Sequence, residues 1–152
     1  GSVDAIVGAY WVHESISATN QGFELNIMKM EEHGVPDYYE LVIVASDDKI
    51  AEEPEIVQKF VNGVTRGYQD AIEDPIDAVA LLKKLKPETD LAIENPGVEL
   101  LAPLWTTDQG IFGSQEDGRW EAFAEWMKTT GRLSDATVSR DAYTNQFVEA
   151  NN

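Results

Sequence analysis

The chain has 152 residues, 43% of them hydrophobic and 9% aromatic, which is enough for one core and too apolar for a disordered protein. Its formal net charge of -17 comes from 11 Lys and Arg against 28 Asp and Glu, and such a field disfavours nucleic acid and anionic membrane surfaces as partners. The absence of cysteine excludes disulfides, thiolate metal sites and cysteine nucleophiles. No apolar run reaches the length of a membrane span, so direct membrane insertion is not expected.

Three short strands are predicted in the first third of the chain, with one short helix among them. Residues 3–11 are an apolar run typical of a strand buried on both faces, and residues 23–28 alternate between apolar and mostly polar side chains. Residues 41–45 are rich in β-branched side chains, which favours a third strand. The helix is expected at 12–19, and the sequence at 33–37 is typical of a turn.

Helical periodicity replaces the strand patterns after residue 46. Acidic residues and Pro54 precede apolar residues that recur every four positions from Ile56 to Ile72, which predicts a long helix facing the core. Asp74 caps the next helix, which begins with a proline. The further helices are expected from 75 to an end within 83–87, at 88–104, at 116–128 and at 141–150, with a break or bend at 95–97 and no periodicity around 105–115.

These elements place the chain in the α/β class, with few strands followed by a helix-rich region. Three short strands offer few edges on which so many helices can pack, and the chain starts abruptly with Gly1 and Ser2 before an apolar segment. We therefore expect a fragment of a longer protein, whose missing strands would complete the sheet. A tag remnant before a complete small domain is the alternative. A fragment of this kind is expected to self-associate through exposed strand edges.

The segment at 5–14, which reads AIVGAYWVHE, combines stacking surface with a negative charge. Tyr10, Trp11 and Glu14 are the candidate ligand-binding residues, because aromatic faces hold a flat π system and a carboxylate accepts N–H donors. Open α/β sheets bind ligands at the carboxyl ends of their strands, where these residues are predicted to lie. The chemistry favours a neutral or cationic nitrogen heterocycle over sulfonate, phosphate or nitrate. An ordinary strand end, with the aromatics in the core, is the alternative interpretation.

Catalytic and metal sites have weaker signals. His13 and Glu14 are half of a zinc-protease helix motif, but the second histidine of that motif is missing and His33 is the only other one in the chain. Paired acids such as those at 47–48 are explained by helix starts. A triple of Ser15, His13 and an acid arises by chance in most chains of this length. No catalytic residue, metal or cofactor is therefore assigned.

Four stretches resemble one family, in the same order along nearly the whole chain. They read VDAIVGAYWVHE, HGVPDYYELVIVASDDKIAEEPEIVQKFVNGVTRGYQDAIEDPIDAVALL, WEAFAEWMKTTGRL and DAYTNQFVEAN. They resemble the carboxyl-terminal half of ABC-transporter substrate-binding proteins for thiamine-pyrimidine precursors, the hydroxymethylpyrimidine and formylaminopyrimidine binders.

The resemblance implies a type II periplasmic-binding-protein (Venus-flytrap) fold, in which two α/β lobes joined by a hinge hold a ligand in the cleft. Residues 1–40 would belong to the second lobe. Residues 41–152 would form the hinge crossing and the carboxyl-terminal part of the first lobe, with the amino-terminal half of the protein absent. The resemblance assigns an aromatic wall to Tyr10 and Trp11, and contact with the aminopyrimidine to Glu14.

The same resemblance implies partners and a location. The ligand would be a small aminopyrimidine that is delivered to an ABC permease, without any bond being made or broken. The full-length protein would be extracytoplasmic, either periplasmic or a cell-surface lipoprotein.

Two other functions of the same superfamily are the alternatives. Fungal pyrimidine-precursor synthases share the fold and a similar ending, but they carry a cysteine cluster after the glycine-proline turn, where this chain has DYYEL at 37–41 and no cysteine. A sulfonate or nitrate binder is the alternative within transport.

Overall fold

The computed structural model describes residues 3–105, 112–134 and 141–149. Within these ranges the chain forms α-helices joined by irregular segments and two 3-10 turns. The helices are α1 Glu14–Asn20, α2 Asp47–Glu52, α3 Pro54–Glu73, α4 Pro75–Leu85, α5 Leu91–Leu101, α6 Asp117–Thr129 and α7 Gln146–Glu149, and the 3-10 turns are Met30–His33 and Ala102–Leu104.

The three predicted strands are wrong for this chain. Residues 3–10, 23–28 and 41–45 are irregular, and an isolated bridge at Phe112 is the only β-type assignment among the described residues. A strand is stable when a neighbour completes its ladder of backbone hydrogen bonds, and no such neighbour occurs in the described part of the chain. Left-handed backbone at Gly8 (φ 83°) and Leu41 (φ 59°) also departs from strand geometry. Of the α/β prediction, the helix-rich region is confirmed and the strands are not, within the described residues.

The predicted starts of α3 and α4 are confirmed, and the starts of α2, α4 and α5 each have a local physical cause. Ser46 Oγ accepts a hydrogen bond from the Lys49 amide at 3.2 Å and caps α2. Asp74 caps α4 in the same way, with a proline as the first helical residue. Asp90 caps α5 through a 2.9 Å bond from the Ala92 amide. Each contact spans only two or three residues, and the Asp74 cap is the one that the sequence predicts. The helix that was expected from residue 88 begins at Leu91.

The long helix α3 lies where it was predicted, but the prediction that it faces a core is wrong. None of its residues is buried, and Ile56 and Phe60 are 50% and 58% exposed. Val57, Val61 and Val64 are half-buried. Positions 57 and 61 are each one residue beyond the exposed pair, about 100° further round the helix axis. Helix α3 is therefore half-buried at Val64 within the Ile56 stripe and at Val57 and Val61 along the edge of that stripe.

Helix α5 continues through Pro96, where a break or bend was predicted. Proline has no N–H, so the carbonyl of Ala92, four residues earlier, loses its helical donor. The side-chain amide of Asn20 replaces that donor, because Asn20 Nδ2 donates to Ala92 O at 3.1 Å. A long-range hydrogen bond thus satisfies the carbonyl that the proline leaves without a partner.

The carboxyl-terminal predictions hold in their main features. Helix α6 occupies the predicted range and is followed by Gly131 in left-handed backbone (φ 73°). The last helix begins later than predicted, because Gln146–Glu149 is the α-helical part of the described residues 141–149. Residue 150 lies outside the described residues, as do residues 106–111 of the segment without periodicity.

The chain divides into two compact units. Unit 1 comprises Gly1–Ile27 and Arg66–Gly110, and unit 2 comprises Met28–Thr65 and Ile111–Asn152. Helix α3 therefore begins in unit 2 and ends in unit 1. Each unit has its own set of contacts.

Unit 1 is organised around α4 and α5, which pack on each other, with α1 against α5. Its buried apolar residues are Val12, Val79 and Ala102, at 8%, 5% and 6% exposure. The rings of Tyr68 and Trp105 meet edge to face with centroids 4.9 Å apart. The buried apolar side chains of this unit thus come from α4, from the 3-10 turn after α5 and from the segment before α1.

Unit 2 is organised by aromatic rings and side-chain amides. Trp120 of α6 stacks on Tyr143, with ring planes 2° apart and centroids at 5.5 Å. Tyr38 stacks on Phe123, one turn further along α6, at 4.7 Å. Asn145 pairs with the backbone of residue 115, accepting from its N–H at 2.9 Å and donating to its carbonyl at 2.8 Å.

Candidate functional site

The candidate ligand-binding residues lie together in one tight turn at 10–14, here called the site turn. The Tyr10 carbonyl accepts hydrogen bonds from the amides of His13 (3.1 Å) and Ser15 (3.4 Å). The Tyr10 amide donates to Glu14 Oε2 at 2.9 Å. Glu14 is also the first residue of α1, where a negative charge is favoured by the helix dipole. The same carboxylate therefore closes the turn and starts the helix.

The site turn buries its middle residue and leaves the predicted ligand-binding residues near the surface. Val12 is 8% exposed, whereas Tyr10 is 43% exposed, Trp11 is half-buried and Glu14 is exposed. Within the described part of the chain, the second carboxylate oxygen of Glu14, Oε1, accepts no hydrogen bond. An anionic acceptor and an accessible aromatic ring thus lie four residues apart on a closed turn. This arrangement is able to accept N–H donors and to stack on a flat ring.

Helix α5 lies directly behind the site turn. His13 Nδ1 is 3.4 Å from Glu94 Oε1, and both side chains are partly exposed. One helical turn further on, Gly97 is buried, and a Cβ built on it would lie 2.5 Å from the carbonyl oxygen of Val12. The backbone of the turn therefore lies in the space that any other residue at position 97 would fill.

A groove of about 290 Å³ adjoins the buried side of the site turn. Its walls are mostly aliphatic and come from the site turn, α4, α5 and the end of α3. The lining residues are Val12, His13, Ala71, Ala78, Val79, Leu82, Glu94, Gly97, Val98, Leu101 and Trp105. The only ionisable side chains among them are His13 and Glu94, which pair with each other.

Sequence reasoning found the site turn but missed the residues that support it. Glu94 and Gly97 of α5 contact the site turn, and Asn20 of α1 contacts Ala92 of α5. Each pair is more than 70 positions apart in sequence, and no local pattern reports such pairs. One signal was present, because the Pro96-Gly97 pair is unusual inside a helix. From the sequence alone this pair predicts a break in the helix, but in the structure it marks a close contact.

No metal or membrane element occurs among the described residues. In ranges 3–105, 112–134 and 141–149, no three His, Asp or Glu side chains are placed to hold a metal ion. None of the helices in the same ranges combines the length and the apolar character that a membrane crossing needs.

The amino-terminal part of the chain matches a protein-family model described as NMT1/THI5 like. The match covers residues 1–78, which is just over half of the 152 residues and includes the whole site turn. The chain belongs to the NMT1/THI5-like family. This family has a fold of the periplasmic-binding-protein type, so the resemblance found in the sequence is confirmed at the level of the family.

Two curated proteins are similar to this NMT1/THI5-like chain over most of its length. The Formylaminopyrimidine-binding protein of Halalkalibacterium halodurans is 26% identical over 147 residues, which cover 94% of this chain and 44% of that protein. The Riboflavin-binding protein RibY of Chloroflexus aurantiacus is 30% identical over 148 residues, which cover 91% of this chain and 41% of that protein. The chain thus spans less than half the length of either relative.

Proposed function

We propose that this chain is part of the substrate-binding component of an ABC transporter, which captures an aminopyrimidine precursor of thiamine. The observation that carries the proposal is the geometry of the site turn. There the Tyr10 ring is accessible, and Glu14 Oε1 accepts no hydrogen bond from the described residues. Two relatives named as binding proteins for nitrogen heterocycles support it. The reaction class is reversible binding, and no catalytic residue is assigned.

The proposed contacts follow from the chemistry of the three side chains. The ring of Tyr10 stacks on the heterocycle, with Trp11 beside it as the second part of an aromatic wall. Glu14 uses Oε2 to hold the site turn closed and offers Oε1 to the exocyclic amine of the ligand. A negatively charged acceptor disfavours the sulfonate group and nitrate, because both are anionic and neither offers an N–H donor.

The proposal extends to the organisation of the whole protein. In the full-length protein, residues 1–40 belong to a second lobe, and residues 41–152 form the hinge crossing and part of a first lobe. The packing of α1 on α5 within unit 1 then lies across this proposed boundary. The exposed apolar side chains of Val7 (96%) and Val44 (83%) support this, because strands from the remainder of a longer protein would cover them. The full-length protein acts outside the cytoplasm and hands its ligand to an ABC permease.

Calorimetric titration of the full-length protein tests the proposed function. The panel is hydroxymethylpyrimidine, formylaminopyrimidine, riboflavin, taurine and nitrate. We expect saturable binding of at least one of the two pyrimidines and none of taurine or nitrate. Binding of taurine or nitrate alone would contradict the proposal. A turnover assay with the same pyrimidines is expected to give no product.

Replacing Glu14 by Gln tests the role of the carboxylate at the site. Glutamine keeps an oxygen that accepts the Tyr10 amide, so the site turn is retained while the negative charge is lost. We expect aminopyrimidine binding to weaken by about 1.5–3 kcal/mol, the value of a hydrogen bond to a charged group, with little change in melting temperature. The control is Glu88→Gln, an exposed carboxylate of unit 1 outside the turn. Unchanged affinity of Glu14→Gln would remove this residue from the site.

A flavin is the second candidate ligand. The relative named as a riboflavin-binding protein is 30% identical, which is slightly above the identity to the pyrimidine binder. The isoalloxazine ring of riboflavin is also a flat nitrogen heterocycle that an aromatic wall can stack on. Tight binding of riboflavin with no response to either pyrimidine would favour this ligand.

A further inference from the structure

Helix α5 contacts the site turn and α1 at three places that differ in chemistry. The first contact is a side-chain amide on a backbone carbonyl, from Asn20 to Ala92. The second is the pair of His13 and Glu94, at 3.4 Å. The third is the direct approach of the site-turn backbone to Gly97. The contacts thus lie at both ends of α1, at Val12 and His13 just before the helix and at Asn20, its last residue.

The Gly97 contact is the most restrictive of the three. An added Cβ would lie 2.5 Å from the oxygen of Val12, which is closer than real Cβ atoms approach any heavy atom. The obstructing atom belongs to the backbone, so a change of rotamer cannot relieve the clash. The carbonyl of Val12 would have to move, and Val12 is the middle residue of the turn that carries Tyr10 and Glu14.

The Asn20 contact depends on the proline that precedes Gly97. Because Pro96 has no N–H, the carbonyl of Ala92 is open to a donor from outside the helix. Asn20 supplies that donor from the last residue of α1. The adjacent Pro96 and Gly97 thus prepare α5 for both contacts, one through a missing donor and one through a missing side chain.

We propose that α5 sets the position of the site turn, and that Gly97, Asn20 and Glu94 are positioning residues for ligand affinity. The proposal rests on the proposed function, since it concerns the same site. In this proposal none of the three residues contacts the ligand. They act by holding the Tyr10 ring and the Glu14 carboxylate in one geometry, and a binding site that is held loosely loses affinity even when its contact residues are intact.

The principal test is Gly97→Ala in the full-length protein, titrated with the pyrimidine that the wild-type protein binds. We expect the dissociation constant to rise by at least about tenfold, because the turn must move to admit the methyl group. Gly67→Ala is the matched control, since Gly67 is also a helical glycine of unit 1 and its added Cβ meets no heavy atom within 4 Å. Equal affinities of the two variants would overturn the proposal.

A second readout separates positioning from general loss of stability and needs no ligand. The amide proton of Tyr10 is hydrogen-bonded to Glu14, so its NMR chemical shift reports the geometry of the site turn in the folded protein. We expect Gly97→Ala to shift this signal while Gly67→Ala leaves it in place. An unmoved Tyr10 amide in folded Gly97→Ala would also overturn the proposal. If the wild-type protein binds no pyrimidine but the shift is seen, the proposed function fails and the positioning role stands.

Two milder variants keep the proposal testable if Gly97→Ala does not fold. Asn20→Ala removes the donor to Ala92, and Glu94→Ala removes the partner of His13. Each is expected to weaken binding by about three- to tenfold and to move the Tyr10 amide. Glu94→Gln retains an acceptor for His13 Nδ1 and is expected to restore most of the affinity. Wild-type affinity in both alanine variants would refute the role of α5.

Discussion

The two units of the chain hold their helices together by different chemistry. In unit 1, aliphatic residues such as Val79 fill the space between α4 and α5, and a glycine lets the site turn approach the helix backbone. In unit 2, rings pack along α6, where Trp120 stacks on Tyr143 and makes a tilted contact with Tyr39. The carboxyl-terminal segment is joined to residue 115 by the paired hydrogen bonds of Asn145.

This difference determines which substitutions each unit tolerates. Aliphatic packing depends on volume, so unit 1 is sensitive to the loss or gain of a methyl group. Stacked rings and paired amides depend on the kind of group present, so unit 2 is sensitive to the loss of a ring or a donor. The site turn lies in unit 1, where aliphatic packing and the Gly97 contact leave little space for the turn to move.

The largest expected effect is that of Trp120→Ala in unit 2. The substitution removes the stack on Tyr143, the contact with Tyr39 and the hydrogen bond from Trp120 Nε1 to Gln115 Oε1. We expect the free energy of unfolding of unit 2 to fall by about 3 kcal/mol, at the low end for this replacement because the ring is only half-buried. Hydrogen exchange of the α6 amides measures it.

Trp120→Phe sharpens the same experiment. Phenylalanine keeps a ring on Tyr143 but loses the indole N–H, so we expect a loss of about 1 kcal/mol, close to the value of a single hydrogen bond. If the phenylalanine and alanine variants were equally destabilised, the donor rather than the stack would hold this region together. The description of unit 2 as a ring-stacked unit would then be wrong.

The next effect in size belongs to unit 1. Val79→Ala removes two methylene equivalents from the most deeply buried aliphatic residue of the unit, and we expect the exchange-derived stability of α4 and α5 to fall by about 2 kcal/mol. Leu85→Ala on the same helix is the control, because Leu85 is 82% exposed and its removal is expected to cost less than about 0.5 kcal/mol. Similar losses in the two variants would mean that the space around Val79 is not closely packed.

The sequence predicts what depends on neighbouring residues. Asp74 accepts a hydrogen bond from the Asp77 amide only three residues away, and the sequence predicts the start of α4 from this residue and the proline that follows it. Strand formation depends on a partner that is distant in sequence, and the patterns at 3–11 and 41–45 carry no information on whether one is present. The exposed apolar side chains of these segments are the structural sign that the partner is missing from the described residues.

The candidate site divides along the same line. Tyr10, Trp11 and Glu14 lie within five residues, so any compact turn brings them together, and the sequence was sufficient to group them. Gly97 is 85 positions from Val12, and its role becomes visible only when the carbonyl of the turn is seen beside it. The sequence alone does not show whether a glycine breaks a helix or allows a close contact, because that depends on which residues pack against it.

The smallest predicted effects compare one helix cap from each unit. Asp74 accepts from the Asp77 amide at 3.0 Å at the start of α4, and Ser46 accepts from the Lys49 amide at 3.2 Å at the start of α2. We expect Asp74→Ala to cost about 1 kcal/mol, because it removes both a cap and a negative charge at a helix amino terminus. Ser46→Ala removes a cap alone and is expected to cost about 0.5 kcal/mol, the lower end for such a change.

Exchange rates of the first-turn amides give both values. Raising the salt concentration is expected to reduce the difference between them, since only the aspartate carries a charge that salt screens. If Ser46→Ala proved the more damaging variant, capping strength in this chain would follow the surroundings of each helix and not the charge of its cap.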